Sequence, residues 1–545
     1  MKASELYKFY YSGQTCDAES NLSFSRPQGT VVIVKPNNIR HREACEAGRG
    51  DPSPEFAEKE VADSSGDGLL RRPRGLLAMT DIFWFGFKGN FELRFLQKKK
   101  VCGLFLLIAL SLFPFTAAAN PVIVEVTGPK SGVKAWLVED HTLPLISMQF
   151  SFRGGVEQDP HDKQGLGVLM AGLLTQGAGP YDDRAFQERL AARVISLSID
   201  AQRDFIVGEI KTLRRAKDEA FKLLSLALTA PRFDEAAFER LRAQQVTAVK
   251  AQLANPAWQA RLALYQGVFG DHPYGSRALG TPTSLASLTR ADAAALARGR
   301  LAKDTLYVSV VGAITKAQLA AVLDRTFGAL PAHAQLAPPP LVTWPSQTMT
   351  TLVHRAGTQT TILFAAPMLF RADPDWQPAE VANYILGGGG FSSRLMKAVR
   401  DKEGLTYGID TSLVPMEKAS MLLGQISADN DKTARALRLL KEVWRAFYED
   451  GPSEDEVTAA KDFLTGAQPL ALSSTGAIAG VALSMQENNL GRDFLDRREG
   501  LIRAVTRDDV RRVIRKWFNP DGASYALAGE PDGVDADSQR EMTKE

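Results

Sequence analysis

A proline-rich segment at residues 331–345 separates two stretches of this 545-residue chain that share one order of predicted elements. Strands are predicted at 146–152, 194–199 and 306–311 in the first stretch and at 361–365, 405–413 and 524–528 in the second, with helices between them. A repeated order of elements indicates a duplicated unit, each copy a sheet with helices packed on it. The sequence therefore predicts an α+β fold: two homologous mixed-sheet domains with packed helices, facing each other across a chamber.

The duplication sets the predicted boundaries of the whole chain. They are residues 1–97 as a disordered extension or the product of a start codon placed too far upstream, 98–119 as a signal peptide, 120–330 as the N-terminal domain, 331–345 as the linker, 346–536 as the C-terminal domain and 537–545 as a tail.

The signal peptide is predicted from three features in series. Lys98, Lys99 and Lys100 precede an apolar run at residues 101–115, which ends in the small residues before Asn120. A basic region, a short apolar region and an A-x-A site are typical of a secretory signal. A membrane anchor is the alternative, but spanning a bilayer takes about 20 apolar residues. We therefore expect export across the inner membrane to the periplasm, with membrane contact only if the segment stays uncleaved.

Charge and cysteine content exclude two classes of function. The formal net charge is +2, and no basic stripe with interleaved aromatic residues is present, so the sequence gives no indication of nucleic-acid binding. Cys16, Cys45 and Cys102 are the only cysteines, and they form no C-x-x-C pair. A zinc knuckle or a redox motif is therefore excluded.

Three segments carry a family resemblance. The first runs from Phe152-Arg-Gly-Gly through Gly165-Leu-Gly-Val-Leu-Met-Ala-Gly172, the second is Asp271-His-Pro-Tyr-Gly, and the third is Leu386-Gly-Gly-Gly-Gly-Phe-Ser-Ser-Arg394 continuing to Tyr407. In this order they resemble the pitrilysin/insulinase (inverzincin) metallopeptidases, whose first segment carries H-x-x-E-H. The resemblance covers residues 122–531. It implies the two-domain fold and peptide as the substrate class.

The zinc motif of that family is missing. By position, Val168 and Gly172 stand where the two metal-binding histidines belong, and Ala171 stands where the catalytic glutamate belongs. A later acidic ligand is expected where the chain has Thr247 and Ala248. None of these side chains can ligate zinc or transfer a proton. We therefore expect no catalytic residue, no metal site and no bound cofactor in this chain.

The resemblance assigns substrate binding to the second half. It implies that Arg394 and Tyr407 hold a substrate carbonyl and that Gly387, Gly388, Gly389 and Gly390 let an extended peptide approach the backbone. The residues alone leave other interpretations open: Arg394 as a solvated charge, Tyr407 as a core residue of a strand, and the glycine run as a flexible turn. A cation in the first turn of a helix does oppose the helix dipole, which favours the functional interpretation of Arg394.

Together these features predict a non-catalytic, substrate-binding subunit of a heterodimeric zinc metallopeptidase. It resembles the zinc-less chain of two-chain family members such as the mitochondrial processing peptidase. The partner would be a homologous chain with H-x-x-E-H, which would hold the zinc, and the pair would hydrolyse peptides. The alternative is a stand-alone peptide-binding or assembly protein without hydrolytic activity.

Overall fold

The structure is a computed structural model that describes residues 120–337 and 339–543. The predicted extension at 1–97 and the predicted signal peptide at 98–119, with all three cysteines, lie outside the described residues. No helix within the described ranges combines the length and the apolar character needed to cross a bilayer.

Twelve strands form two sheets in the described part of the chain. They are β1 Val124–Thr127, β2 Lys134–Glu139, β3 Leu145–Arg153, β4 Ser196–Ala201, β5 Phe205–Leu213, β6 Leu306–Gly312, β7 Thr350–His354, β8 Gln359–Pro367, β9 Ile409–Pro415, β10 Ser420–Asp429, β11 Ser524–Gly529 and β12 Ser538–Glu541.

The α-helices of the described residues surround these sheets. They are α1 Leu166–Leu173, α2 Asp183–Ala192, α3 Lys217–Thr229, α4 Glu235–Leu253, α5 Pro256–Phe269, α6 Pro282–Ser287, α7 Arg290–Arg300, α8 Lys316–Phe327, α9 Trp376–Asn383, α10 Asn430–Asp450, α11 Glu454–Gly466, α12 Gln468–Ala471, α13 Thr475–Glu487, α14 Phe494–Ala504 and α15 Arg507–Trp517. Two π-helical segments, Tyr384–Gly388 and Met396–Lys402, follow α9.

The two sheets confirm the predicted duplication and the α+β fold class. Their strand orders are β1-β2-β6-β3-β5-β4 and β12-β7-β11-β8-β10-β9. The second and third strands of each order are parallel, β2 with β6 and β7 with β11. The remaining strands of each order, β3, β5 and β4 in the first sheet and β8, β10 and β9 in the second, are joined by antiparallel pairs. The three strands of one sheet are therefore equivalent, in that order, to the three of the other. Both β4 and β9 are edge strands.

A phenylalanine lying over a glycine repeats at one position of both sheets. Phe150 pairs with Gly208 across β3 and β5, and Phe364 pairs with Gly424 across β8 and β10. A Cβ on either glycine would come within about 2 Å of the partner's ring, because the ring occupies that space. A ring that covers a cross-strand glycine fills the gap that the missing side chain leaves. The same local solution in both halves supports a common origin.

The two halves exchange helices. Helix α13 of the second half packs on β3 and β6 of the first sheet, and α5 of the first half packs on β7, β8 and β11 of the second. The second contact is apolar, with Ala263 and Leu264 of α5 buried against Leu363 and Ala526. The halves therefore contact each other directly. The chamber between them stays a prediction.

The linker and the tail take part in the packing of the described chain. Gln335 donates its backbone N–H to Gly299, and Val342 donates to Lys418, so the predicted linker is held by both halves. In the predicted tail at 537–545, strand β12 pairs with β7 in parallel. The second half therefore extends to Glu541, five residues beyond the predicted boundary at 536.

Candidate substrate-binding site and the remnant of a metal site

The helix that carries the lost zinc motif is firmly positioned. Helix α1 begins after Gly165, whose φ of +89° favours glycine, and a Cβ there would lie 2.6 Å from the carbonyl oxygen of Leu279. The Gln245 side chain of α4 donates to the carbonyl of Gly165 at 2.9 Å and to that of Leu279 at 3.0 Å. These bonds fix the start of α1 against α4.

A buried ion pair holds the other side of the same helix start. The Asp159 carboxylate accepts the backbone N–H of Gly167 and the guanidinium of Arg300, the latter at 2.9 Å. Arg300 also donates to the carbonyl of Gly155 at 2.9 Å. Burial raises the pKa of Asp159, although Arg300 and the Gly167 N–H favour its ionised form. A carboxylate at a helix N-terminus is stabilised by the helix dipole, so this pair orients α1.

The zinc positions themselves are used for packing. Ala171 is fully buried, and a Cβ on Gly172 would lie 3.4 Å from Leu241 of α4. Thr247 and Ala248 are exposed on α4, and the Thr247 hydroxyl donates to the Ala243 carbonyl. Within the described ranges no three His, Cys, Asp or Glu side chains come close enough to share a metal ion. A methyl, an isopropyl group and a hydrogen at Ala171, Val168 and Gly172 do not fit the zinc of this family.

The second motif, around His272, lies where the two halves meet. The Tyr274 hydroxyl donates to Asp204 at 2.5 Å and accepts the backbone N–H of Lys418, in the β9–β10 turn, at 2.9 Å. The other oxygen of Asp204 accepts the N–H of Glu417 at 3.1 Å. Burial raises the pKa of Asp204, while Tyr274 and the Glu417 N–H oppose that rise. This motif therefore joins the halves.

The glycine run is closely packed. A Cβ on Gly387 would lie 2.4 Å from Oγ1 of Thr411, and one on Gly388 would lie 2.6 Å from Nδ2 of Asn383. Asn383 and Thr411 exchange hydrogen bonds, of 2.8 Å between side chains and 3.3 Å to the Thr411 carbonyl. The absence of side chains thus lets the π-helical turn lie directly on the edge strand β9, which excludes the interpretation as a merely flexible turn.

The last two glycines of the run, Gly389 and Gly390, differ from each other in their surroundings. A Cβ on Gly389 would lie 2.6 Å from the carbonyl oxygen of Tyr384, so this glycine too is required by packing. Gly390 has a φ of +55° and open space where a Cβ would lie. Gly390 therefore provides the turn, while the three glycines before it provide the close approach.

The side chain of Arg394 makes its contacts within the chain. Its guanidinium makes two 2.7 Å hydrogen bonds to Glu456, donates to the Gly451 carbonyl at 3.0 Å and lies 5.1 Å from the centre of the Phe447 ring. Burial opposes ionisation of Glu456, but the hydrogen bonds from Arg394 and Ser453 outweigh it and lower the pKa of that carboxyl. A two-point arginine–carboxylate pair of this kind is strong and specific.

Tyr407 lines a groove that contains Arg400 and not Arg394. Its side chain is 89% exposed, because β9 begins only at Ile409 and the predicted strand at 405–413 is shorter than expected. A groove of about 420 Å³ is lined by Tyr407 together with Arg400, Lys432 and the neighbouring acids Asp401 and Asp429. None of the contacts described for the chain joins Arg394 to Tyr407. The interpretation of Tyr407 as a core residue is therefore excluded.

Arg400 was missed by the sequence analysis. It lies 4.8 Å from the centre of the Phe391 ring, which is itself 66% exposed, and it pairs with Asp401 at 2.7 Å. It precedes Tyr407 by seven residues, and both residues line one groove. The sequence contained one signal for the role of Arg400, namely Gly404. This glycine has a φ of +61° and turns the chain between the π-helical segment and the strand.

The comparisons with known proteins find similarity to peptidase M16 proteins. A family model described as "Peptidase M16 inactive domain" matches residues 287–464. A Helicobacter pylori protein described as "Non-peptidase homolog YmxG" is 27% identical over 333 residues, 61% of this chain and 77% of that protein. A Streptomyces coelicolor protein described as "Uncharacterized zinc protease SCO5738" is 29% identical over 258 residues, 46% of this chain and 55% of that protein.

Solved structures agree over most of the described chain. A peptidase M16 inactive domain from Pseudomonas fluorescens superimposes with a TM-score of 0.71 at 25% identity, covering 77% of this chain and 100% of that one. The periplasmic protease PqqL from Escherichia coli shows the same fold, with a TM-score of 0.66 at 16% identity over 76% of this chain and 46% of its own. Residues 287–464 therefore match the peptidase M16 inactive domain, and the described chain has the fold of a solved M16 inactive domain, in agreement with the resemblance to the pitrilysin/insulinase peptidases.

Proposed function

We propose that this chain is a non-catalytic, peptide-binding subunit that acts beside a homologous, zinc-bearing chain. One observation carries the proposal. The positions of the zinc motif are filled by small side chains that serve packing, whereas the Tyr407 phenol is exposed in a groove beside Arg400. The motif positions of the first half carry no side chain that can ligate a metal or transfer a proton. The groove of the second half presents a phenol and a guanidinium, which can donate hydrogen bonds to a peptide carbonyl.

The edge strands support an extended peptide as the ligand. Among the described strands, β4 and β9 each have a neighbour on one side only, and an extended peptide can add to such an edge. Strand β9 begins two residues after Tyr407, so a peptide paired with it would pass the groove. The phenol and the guanidinium of Arg400 would then donate to carbonyl oxygens of that peptide.

The division of labour follows from which groups are missing. This chain has no side chain in the lost motif that could activate water, so hydrolysis belongs to the partner. Its own contribution is to position the peptide and to donate hydrogen bonds as negative charge develops on the carbonyl oxygen. An adjacent reading frame of similar length that encodes H-x-x-E-H would identify the partner.

Two observations favour the stand-alone alternative. Arg394, one of the two residues predicted to hold substrate, is engaged by Glu456, and the Helicobacter pylori relative is described as a non-peptidase homologue. Copurification from the native host separates the two functions. The subunit proposal predicts a stoichiometric complex that contains zinc and cleaves peptides, whereas a chain that purifies alone or with non-peptidase proteins would favour an assembly role.

Export to the periplasm is part of the proposal. It rests on the signal-like segment at 98–119, and the similar protease PqqL is described as periplasmic. The intact mass of the exported protein tests it. We expect a chain that begins at Asn120, and a mature protein that retains residues 1–97 would contradict both the cleavage and the misplaced start.

A further inference from the structure

An aspartate lies on one of the two edge strands to which the proposed function assigns the peptide. Asp410 is the second residue of β9 and follows Tyr407 by three positions. Strand β9 has β10 on one side and no described strand on the other. A peptide that adds to this edge places one of its residues directly opposite Asp410. Asp410 is therefore in a position to contact a side chain of the peptide.

The register of the sheet shows on which face Asp410 lies. It pairs with Gln425 of β10, and Gln425 pairs with Leu363 of β8. Directly paired residues share a face, and Leu363 is buried against α5 of the first half. Successive residues of a strand alternate between faces, so Thr411, which the glycine run covers, lies on the opposite face. Asp410 thus shares the face that receives α5 and is separated from the glycine run.

The side chains of Asp410 and Gln425 are available to a ligand. Both are partly exposed, and neither makes a side-chain hydrogen bond or an ion pair with another described residue. The next polar pair on this face differs, because the hydroxyls of Thr361 and Ser427 hydrogen-bond to each other at 3.1 Å. The carboxylate of Asp410 and the amide oxygen of Gln425 therefore lie side by side as acceptors.

The surrounding protein makes the charge of Asp410 costly. Burial raises the pKa of Asp410 to about 6, and no charged neighbour in the described chain opposes the rise. At neutral pH the group is still largely ionised, so a negative charge without a partner lies where water solvates it poorly. A cation that approached it would gain more than a cation that paired with a fully solvated acid.

A basic side chain of the peptide is the cation that fits this position. A metal ion takes more ligands, and no three His, Cys, Asp or Glu side chains of the described residues come close enough to share one. Opposite residues of paired strands have Cβ atoms about 4.5–5.5 Å apart, which a lysine or arginine side chain can span. The donors of an ammonium or a guanidinium match the oxygens of Asp410 and Gln425.

We propose that Asp410, assisted by Gln425, selects a lysine or an arginine of the peptide at the position opposite it on β9. The inference rests on the proposed peptide-binding function and adds to it the side chain that is preferred. Tyr407 and Asp410 then have separate tasks. The phenol donates to a peptide carbonyl, which every peptide has, whereas the carboxylate distinguishes one side chain from another.

Binding of a series of short fluorescent peptides to the purified chain tests this preference. Each peptide carries a single lysine at a different position, and its control has norleucine, which lacks the ammonium, at the same position. We expect one position at which lysine binds about tenfold more tightly than norleucine, the contribution of a hydrogen bond to a charged group. Glutamate at that position should bind more weakly than norleucine.

Substitutions of Asp410 assign the preference to this residue. Asp410→Asn keeps the shape and removes the charge, so it should bind the lysine and norleucine peptides equally and melt no lower than the parent. Asp410→Ser is a second neutral change, to be used if Asp410→Asn does not fold. Asp535→Asn changes an exposed aspartate before β12, at the other edge of the same sheet, and should retain the preference for lysine.

The outcomes separate this inference from the proposed function. Peptides that bind without a preference for lysine at any position would overturn the selection by Asp410 and leave peptide binding intact. A preference that the neutral variants of Asp410 retain would have the same consequence. Failure of every peptide to bind would overturn the proposed function and this inference together.

Discussion

Val194 and Tyr407 occupy equivalent positions in the two halves of the duplicated fold. Each precedes its edge strand by two residues, β4 in the first half and β9 in the second, and the two side chains are 69% and 89% exposed. Val194 shows that the fold accepts a small aliphatic residue there, even with a φ of +55°. The fold therefore does not require a phenol at this position, which agrees with the proposed binding role of Tyr407. Beside these strands, the first half buries the remnant of its motif, and the second half exposes its polar groups.

The largest effect is expected from returning a carboxylate to the lost motif. Ala171→Glu places an unpaired charge at a fully buried position on α1, and we expect a loss of about 3–5 kcal/mol in the free energy of unfolding. Chemical denaturation measures it. Thr247→Glu, an exposed change on the helix that packs against α1, should alter stability by no more than about 0.5 kcal/mol. An Ala171→Glu variant as stable as the parent would show that the site is still open.

The next effect sharpens the contrast between the two exposed positions. Tyr407→Phe and Arg400→Ala should each lower peptide cleavage by the reconstituted pair by roughly 10²–10³-fold, because each removes a donor to the developing oxyanion. Val194→Ala should leave cleavage unchanged. Initial rates at saturating peptide, with copurification as a check on assembly, make the comparison. Equal rates for all three variants would remove the substrate-binding role of the groove.

Replacing Arg394 should lower the stability of the chain more than replacing Arg400. Arg394→Ala leaves Glu456 without its partner and uncovers Phe447, and we expect a loss of about 1–3 kcal/mol. Arg400→Ala removes a more exposed ion pair and should cost no more than about 0.5 kcal/mol. Thermal and denaturant melts of the two variants test this. If Arg394→Ala melts with the parent and abolishes cleavage, Arg394 is the substrate ligand after all.

The smallest effect concerns the contact between the halves. Burial raises the pKa of Glu487, at the end of α13, from its ordinary 4.5 to about 7, and Asp204 adds to the rise while Ser151 opposes it. Between these two values the folded chain keeps a proton that the unfolded chain has lost, so stability should fall as the pH rises through this window. Glu487→Gln stays neutral and should flatten the decline.

Melting temperatures at about pH 5 and about pH 8 measure that difference. Glu442→Gln, a change at an exposed residue of α10, is the control and should keep the decline of the parent. A Glu487→Gln variant with the same pH dependence as the parent would show that this carboxyl is ionised in the folded chain throughout.

The sequence predicted the features that depend on local pattern. The alternation in residues 146–152 and the closing strands of both halves lie within β3, β6 and β11, because buried strands leave a period of two. The exposed Tyr407 was less accessible to such reasoning. Its apolar neighbours Leu405 and Ile409 are both buried, yet the strand starts after Gly408, so alternation across this turn assigned Tyr407 to the core.

Long-range contacts could not be predicted from the local sequence pattern. The exchange of α5 and α13 depends on which sheet face each helix covers, and both helices are apolar enough to fit either half. The pair of Arg394 with Glu456 joins residues 62 positions apart. The sharing of a groove by Arg400 and Tyr407 depends on the turn between a π-helical segment and an edge strand, which the periodicity of side chains does not encode.

Peptide binding and hydrolysis measured side by side on the purified chain test the central claim most directly. A fluorescent peptide, intact mass spectrometry of that peptide and metal analysis of the same sample give the three readouts. We predict saturable binding that Tyr407→Phe weakens, no cleavage, and zinc far below one ion per chain. Cleavage by the chain alone, with close to one zinc per chain after dialysis against a weak chelator, would contradict the account.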